Sequence, residues 1–209
     1  MVRVKVCGIT NYEDACLCVG LGADALGFIF AESPRRISQE KARSIIRMLP
    51  PFIKVVGVFV NENIATIRET IKFCGLDLVQ LHGQESPGEC LELMPYSIKA
   101  FRLKEKSSLE NIPLYAKKVR AILFDTYSKG KMGGTGKTFD WSLAIEGSRA
   151  GMPVILSGGL APFNVKEAFT AVRPYALDVN SGVEEYPGKK SPVLLGSLMK
   201  RLGKSGFRT

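Results

Sequence analysis

Short runs rich in Val, Ile, Leu and Phe recur along the chain at 3–7, 24–30, 54–60, 77–81, 97–102, 119–124, 153–157 and 175–179. Runs such as Val55-Val56-Gly57-Val58-Phe59-Val60 and Ala121-Ile122-Leu123-Phe124 are apolar without interruption. That pattern belongs to parallel strands buried on both faces, because a strand with one wet face alternates. Between the runs the period changes. Gln39 to Leu49 places Ala42, Ile45, Ile46 and Leu49 on one helical stripe, and Ile64 to Phe73 does the same with Ile64, Ile67 and Ile71. Strand and helix alternating eight times predict an α/β fold, a single (β/α)8 TIM barrel, in preference to an open doubly wound sheet. The fifth unit is the weakest, since Glu105 to Lys118 contains Pro113 and only a loose apolar pattern. No Pro/Gly/Ser-rich linker divides the sequence, so residues 1–209 read as one barrel domain, with the basic segment 200–209 expected to fray.

Composition narrows the class. Hydrophobic residues are 45% of the 209, and no apolar run approaches the roughly 18 residues of a membrane span. Met1-Val2-Arg3-Val4-Lys5-Val6 alternates like a strand and carries no apolar leader, which makes the cytoplasm the expected location and a membrane partner unexpected. Five scattered cysteines, Cys7, Cys16, Cys18, Cys74 and Cys90, do not make a disulfide scaffold. Cys16 and Cys18 point in different directions on a helix, and His82 is the sole histidine, so no metal is expected. The formal charge of +9 comes from basic residues spread along the whole chain, not from one stripe with interleaved aromatics. That argues for a solvated basic surface and against a nucleic-acid partner.

In such a barrel, chemistry is placed at the C-terminal ends of the strands. Here those ends carry Cys7, Gln80 with His82, Asp125, Ser157-Gly158-Gly159 and Asp178-Val179-Asn180-Ser181-Gly182. Two glycine turns after strands seven and eight, holding Gly158, Gly159, Ser181 and Gly182, can aim backbone N–H groups at one anion and predict a phosphate site. Cys7 is either a buried structural thiol or a base whose pKa falls toward neutrality near Lys5. Asp125 is either a turn former or a carboxyl that keeps its proton and serves as a general acid. Arg35, in Ser33-Pro34-Arg35-Arg36, is either solvated or a clamp for a carboxylate. His82 faces a ligand or orders a loop. The glycine-rich stretch 126–138 reads as a lid. Gly136-Lys137-Thr138 is not the end of a nucleotide P-loop, because the required glycine is replaced by Lys131.

Taken in order, Lys5-Val6-Cys7-Gly8-Ile9-Thr10, Gly27-Phe28-Ile29-Phe30, Ser33-Pro34-Arg35, Val58-Phe59-Val60-Asn61, Val79-Gln80-Leu81-His82-Gly83, Phe124-Asp125, Gly133-Gly134-Thr135-Gly136-Lys137-Thr138-Phe139-Asp140-Trp141, Ser157-Gly158-Gly159-Leu160 and Asp178-Val179-Asn180-Ser181-Gly182-Val183-Glu184 resemble phosphoribosylanthranilate isomerases of tryptophan biosynthesis, from residue 3 to about 190. The resemblance implies an Amadori rearrangement of N-(5-phosphoribosyl)anthranilate to 1-(2-carboxyphenylamino)-1-deoxyribulose 5-phosphate, with no metal or organic cofactor. It implies Asp125 as the acid that opens the ribose ring and Cys7 as the base at C2′. Arg35 then binds the anthranilate carboxylate, Gly158, Gly159, Ser181 and Gly182 cradle the phosphate, and Asp178 and His82 support the mouth. Arg36 fills a slot where the family often has another side chain. The expected partner is a small phosphorylated substrate, and the expected state a monomer or homodimer.

Two rival functions remain at this point. One is the related histidine-pathway aminoimidazole isomerase, or a dual-substrate enzyme; that family is expected to carry an aspartate where Cys7 stands. The other is a non-catalytic barrel that binds phosphometabolites, against which both Cys7 and Asp125 are present.

Overall fold

A computed structural model of the chain describes residues 2–125 and 141–204. Eight parallel strands close into a barrel in sequence order: β1 (Arg3–Cys7), β2 (Ala25–Ile29), β3 (Lys54–Phe59), β4 (Leu78–Leu81), β5 (Ser97–Arg102), β6 (Ala121–Asp125), β7 (Val154–Ser157) and β8 (Ala176–Val179). β8 pairs with β1 in the register Arg3 to Ala176 and Lys5 to Asp178, which completes the ring. Each strand lies within two residues of the apolar run that predicted it.

The helices are α1 (Tyr12–Gly20), α2 (Gln39–Ile46), α3 (Ile64–Cys74), α4 (Pro87–Glu92), α5 (Ser142–Gly147), α6 (Val165–Val172) and α7 (Pro192–Arg201). Side-chain oxygens of Asn11, Ser38, Asn63, Ser86 and Ser191 accept from backbone N–H groups of the first turns of α1, α2, α3, α4 and α7. These caps satisfy donors that have no partner inside the helix, and so fix where each loop at the barrel mouth ends. The fifth unit departs from the pattern. Two 3₁₀ turns, Lys106–Leu109 and Ile112–Tyr115, stand where a helix would, because Pro113 supplies no N–H and the apolar residues do not repeat at helical spacing.

Alternation along the strands builds two cores. Outward residues such as Val4, Val6, Leu26, Phe28, Val79, Leu81, Ile122 and Phe124 pack against the helices in one large cluster. Inward residues Ile98, Ala100, Ala121, Leu123, Ile155 and Ala176 fill the barrel toward its N-terminal end. Two residues further along each strand, the inward positions become polar: Arg102, Asp125, Ser157 and Asp178. The interior is therefore apolar below and polar at the mouth.

An antiparallel hairpin, β9 (Glu184–Tyr186) with β10 (Lys189–Lys190), follows β8. Buried Asp14 of α1 ties it down by accepting from Lys189 Nζ and from the backbone N–H of Lys190, each at 2.7 Å. The expected fraying of 200–209 is not what the described part shows. Lys200 and Arg201 complete α7, and the Lys204 ammonium is buried against the Gly22 carbonyl and the Asp24 carboxylate. The remaining residues, 205–209, lie outside the described residues, as does the stretch 126–138 read as a lid. Among the described residues no helix is long and apolar enough to cross a membrane.

Candidate active site

A cavity of about 420 Å³ opens at the C-terminal ends of the strands. All nine residues singled out from the sequence line it: Cys7, Arg35, His82, Asp125, Gly158, Gly159, Asp178, Ser181 and Gly182. Cys7 ends β1 and Asp125 ends β6, with β7 and β8 between them on the shorter way round the ring. That spacing sets a thiol and a carboxyl on opposite walls of one cavity.

The glycine turns meet. Gly158 and Gly159 adopt φ of 100° and 64°, a backbone region that other residues enter only with strain, and they turn the chain sharply out of β7. The Asn164 side chain accepts from Ala161 N and donates to the Gly159 carbonyl, which holds this turn against the start of α6. Gly182 sits in the 3₁₀ turn after β8, so near the first turn that a Cβ would fall 2.1 Å from the Leu160 carbonyl oxygen. Two loops after successive strands thus bring glycine backbone to one wall of the cavity, which suits an anion that needs N–H donors at close range.

Arg35 reaches the cavity from a tight turn in which Arg35 N donates to Ser33 Oγ and Ile37 N returns to the Ile29 carbonyl. Its guanidinium lies on Glu184, with Nε 3.0 Å from both carboxylate oxygens and Nη2 2.6 Å from Oε2. Glu184 also accepts from Lys190 Nζ at 2.8 Å, and Lys190 donates further to Asn180 Oδ1 at 3.1 Å. Burial opposes ionisation of Glu184, but the hydrogen bonds from Arg35 and Lys190 outweigh it and hold its carboxyl below the usual value. Sequence reasoning gave Glu184 and Lys190 no role. Lys190 is fully buried and would only have been suspected as a lysine inside an otherwise ordinary hairpin.

Lys5, considered from the sequence only as a neighbour of Cys7, is itself a buried member of the site. Its side chain is 5% exposed, and its ammonium donates to Asp178 Oδ1 at 2.9 Å and Gln80 Oε1 at 3.0 Å. Burial works against the charge on Lys5, but Asp178 and Cys7 more than compensate and raise its pKa above the usual value. The thiol of Cys7 does not fall toward neutrality as its sequence position suggested. Burial pushes it up, and the nearby Lys5 and Lys190 offset only part of that rise. Desolvation is therefore the larger effect on this group before substrate arrives. Gln80 continues the network to His82, its Nε2 lying 3.0 Å from Nδ1, and His82 Nε2 approaches Asp125 Oδ2 at 3.5 Å. Asp178 also takes the Ser157 hydroxyl, through its backbone carbonyl at 3.3 Å.

The comparisons with known proteins agree on one relationship. The model of the family described as N-(5′-phosphoribosyl)anthranilate (PRA) isomerase matches residues 4–201. The N-(5′-phosphoribosyl)anthranilate isomerase of Pelobacter propionicus is 50% identical over 201 residues, 96% of this chain and 95% of its own. Among solved structures, phosphoribosyl anthranilate isomerase from Thermotoga maritima superposes with a TM-score of 0.89 at 45% identity, covering 97% of this chain and 99% of its own. A second isomerase structure, in complex with reduced 1-(o-carboxyphenylamino)-1-deoxyribulose 5-phosphate, gives 0.87 at 42% identity, with the same two coverages.

Proposed function

The chain belongs to the N-(5′-phosphoribosyl)anthranilate isomerase family, and from that premise we propose how its own residues divide the reaction. The protein is an isomerase of tryptophan biosynthesis that carries out the Amadori rearrangement of N-(5′-phosphoribosyl)anthranilate. The observation that carries the assignment of roles is the placement of a thiol and a carboxyl on opposite walls of one cavity, with an anion cradle on a third side.

Asp125 gives its proton to the furanose ring oxygen as the C1′–O bond breaks and the aniline nitrogen forms a protonated Schiff base with C1′. The Cys7 thiolate then takes the proton from C2′, and those electrons form the C1′=C2′ bond while the C1′=N electrons return to nitrogen. The resulting enol becomes the ketone when a proton moves from its hydroxyl to C1′. Before that step the thiol releases its proton to solvent, and the charge of the cationic imine favours the ionised sulfur. That fits a thiol whose burial otherwise disfavours ionisation and which has Lys5 and Lys190 as nearby cations.

Gly158, Gly159, Ser181 and Gly182 hold the phosphate, and Arg35 meets the anthranilate carboxylate while remaining paired with Glu184. Asp178 keeps Lys5 in place, and His82 faces the acid. Every group named lies on one chain, so the scheme operates in a monomer or a homodimer with a small phosphorylated substrate as the only partner. The scheme needs no metal, organic cofactor or nucleic acid. The chain acts as one barrel domain, and its free cysteines suit the cytoplasm.

The test is the decay of anthranilate-type fluorescence after freshly generated substrate is mixed with enzyme. A positioned acid or base contributes about 10²–10⁴-fold, so Cys7→Ser and Asp125→Asn are each expected to lower kcat by that order with KM little changed. Near-wild-type turnover in both variants would remove the pair from the mechanism.

A further inference from the structure

The polar floor of the mouth cavity contains a chain of donors and acceptors whose direction is fixed by chemistry alone. It starts at Lys5, an ammonium that only donates. Its contact with Gln80 at 3.0 Å is therefore made to the amide oxygen, and the amide nitrogen must occupy the other position, 3.0 Å from His82 Nδ1. A side-chain amide nitrogen also only donates, so Nδ1 of His82 must accept and bears no proton. The remaining ring nitrogen, Nε2, then carries the imidazole proton and lies 3.5 Å from Asp125 Oδ2, with no hydrogen bond closed in the structure. Gln80 is 2% exposed and cannot turn its amide over without placing its nitrogen against the buried ammonium.

We propose that Gln80, anchored by Lys5, is a positioning residue for the acid step: it fixes the proton of His82 on Nε2, facing Asp125. The N–H is thereby aimed at Oδ2 of the carboxyl that serves as the acid. The contact closes as substrate orders the mouth, since such bonds are often long before the ligand is bound. The inference rests on the reading of Asp125 as the acid, but the state of the His82 ring is observable without any turnover.

His82 is the only histidine in the chain, so its ring nitrogens are assigned in a long-range ¹H–¹⁵N correlation spectrum without ambiguity. The spectrum is recorded at about pH 8, above the ordinary imidazole range near 6.5. The expected result for wild type is a protonated Nε2 and an acceptor Nδ1. In Gln80→Glu the neighbouring carboxylate only accepts, so the proton is expected to move to Nδ1. With the Nε2 lone pair then turned toward Asp125, kcat should fall about 10–100-fold, part of the ~10²–10⁴ that a positioned acid supplies, with KM changed less than about threefold. Gln80→Met, which removes the donor without adding charge, should raise the Nδ1–H population and serves if the charged variant does not fold. A proton on Nδ1 in wild type, an unchanged ring in both variants, or an inverted ring at undiminished kcat would overturn the proposal. Full activity of Asp125→Asn beside the expected ring inversion would instead remove the acid assignment, and the two failures are thereby told apart.

Discussion

Replacing Gly182 by alanine probes the proposed phosphate cradle at the point where its two halves touch. The added Cβ would lie 2.1 Å from the Leu160 carbonyl oxygen, where ordinary contact begins at 3.4 Å. The obstacle is backbone, so no side chain can swing aside, and the two turns must separate by about 1 Å. A shift of that size on one wall misaligns one or two N–H donors toward a phosphate held by both. A hydrogen bond to a charged group contributes about 1.5–3 kcal/mol, so loss of one predicts roughly a 10- to 100-fold rise in KM. The chemistry lies elsewhere in the cavity, and kcat should fall much less. Initial rates over a range of substrate concentrations give both constants, and inhibition by inorganic phosphate gives an independent reading of the cradle, expected to weaken in parallel. A KM within twofold of wild type, in a variant with an unaltered unfolding midpoint, would refute the claim that these turns jointly hold the phosphate.

Glu184→Gln should flatten the acid limb of stability. A carboxyl whose folded pKa lies below its usual 4.5 adds stability that is present above that value and lost as pH falls through the depressed pKa, so urea midpoints of wild type should drop there and those of the variant should not. At neutral pH the variant should be weaker by about 3 kcal/mol, because Lys190 is left buried without its carboxylate. Alkylation by iodoacetamide should find Cys16, which is exposed, well before Cys7, which is buried and whose pKa is raised above 9.0. Mass mapping at neutral pH that showed Cys7 modified first would contradict the desolvated thiol.

The barrel was legible because its strands are buried on both faces, and an unbroken apolar run such as Ala121-Ile122-Leu123-Phe124 has few other uses. The rim residues followed once the strands were counted, since Cys7, Asp125 and the glycine turns sit at strand ends. The fifth unit was correctly weak: Pro113 and the missing helical period gave 3₁₀ turns. What stayed hidden was the polar floor. In Val4-Lys5-Val6 the alternation of apolar and basic residues normally means that the basic face meets solvent. Here Val4 and Val6 face the helices and Lys5 faces inward, so the usual reading has the wrong sign. Arg35 and Glu184 are 149 positions apart, and no local pattern announces a pair that only closure of the barrel creates.

The hidden residues bear on how one small cavity could hold the proposed acid and the proposed base in different surroundings. Lys5 and Lys190 place positive charge on the side of Cys7, where the proposed base must ionise against the cost of burial. Across the mouth, Asp125 has the imidazole edge of His82 3.5 Å away. The charge of Lys5 is taken up by Asp178 and the neutral amide of Gln80, and Gln80 passes a hydrogen-bond direction on to His82. Two environments of opposite demand are thus supported by one buried lysine. Gln80→Met is consequently the change that should disturb the proposed acid most selectively, since a carboxylate at position 80 would also pair with Lys5, the cation beside Cys7.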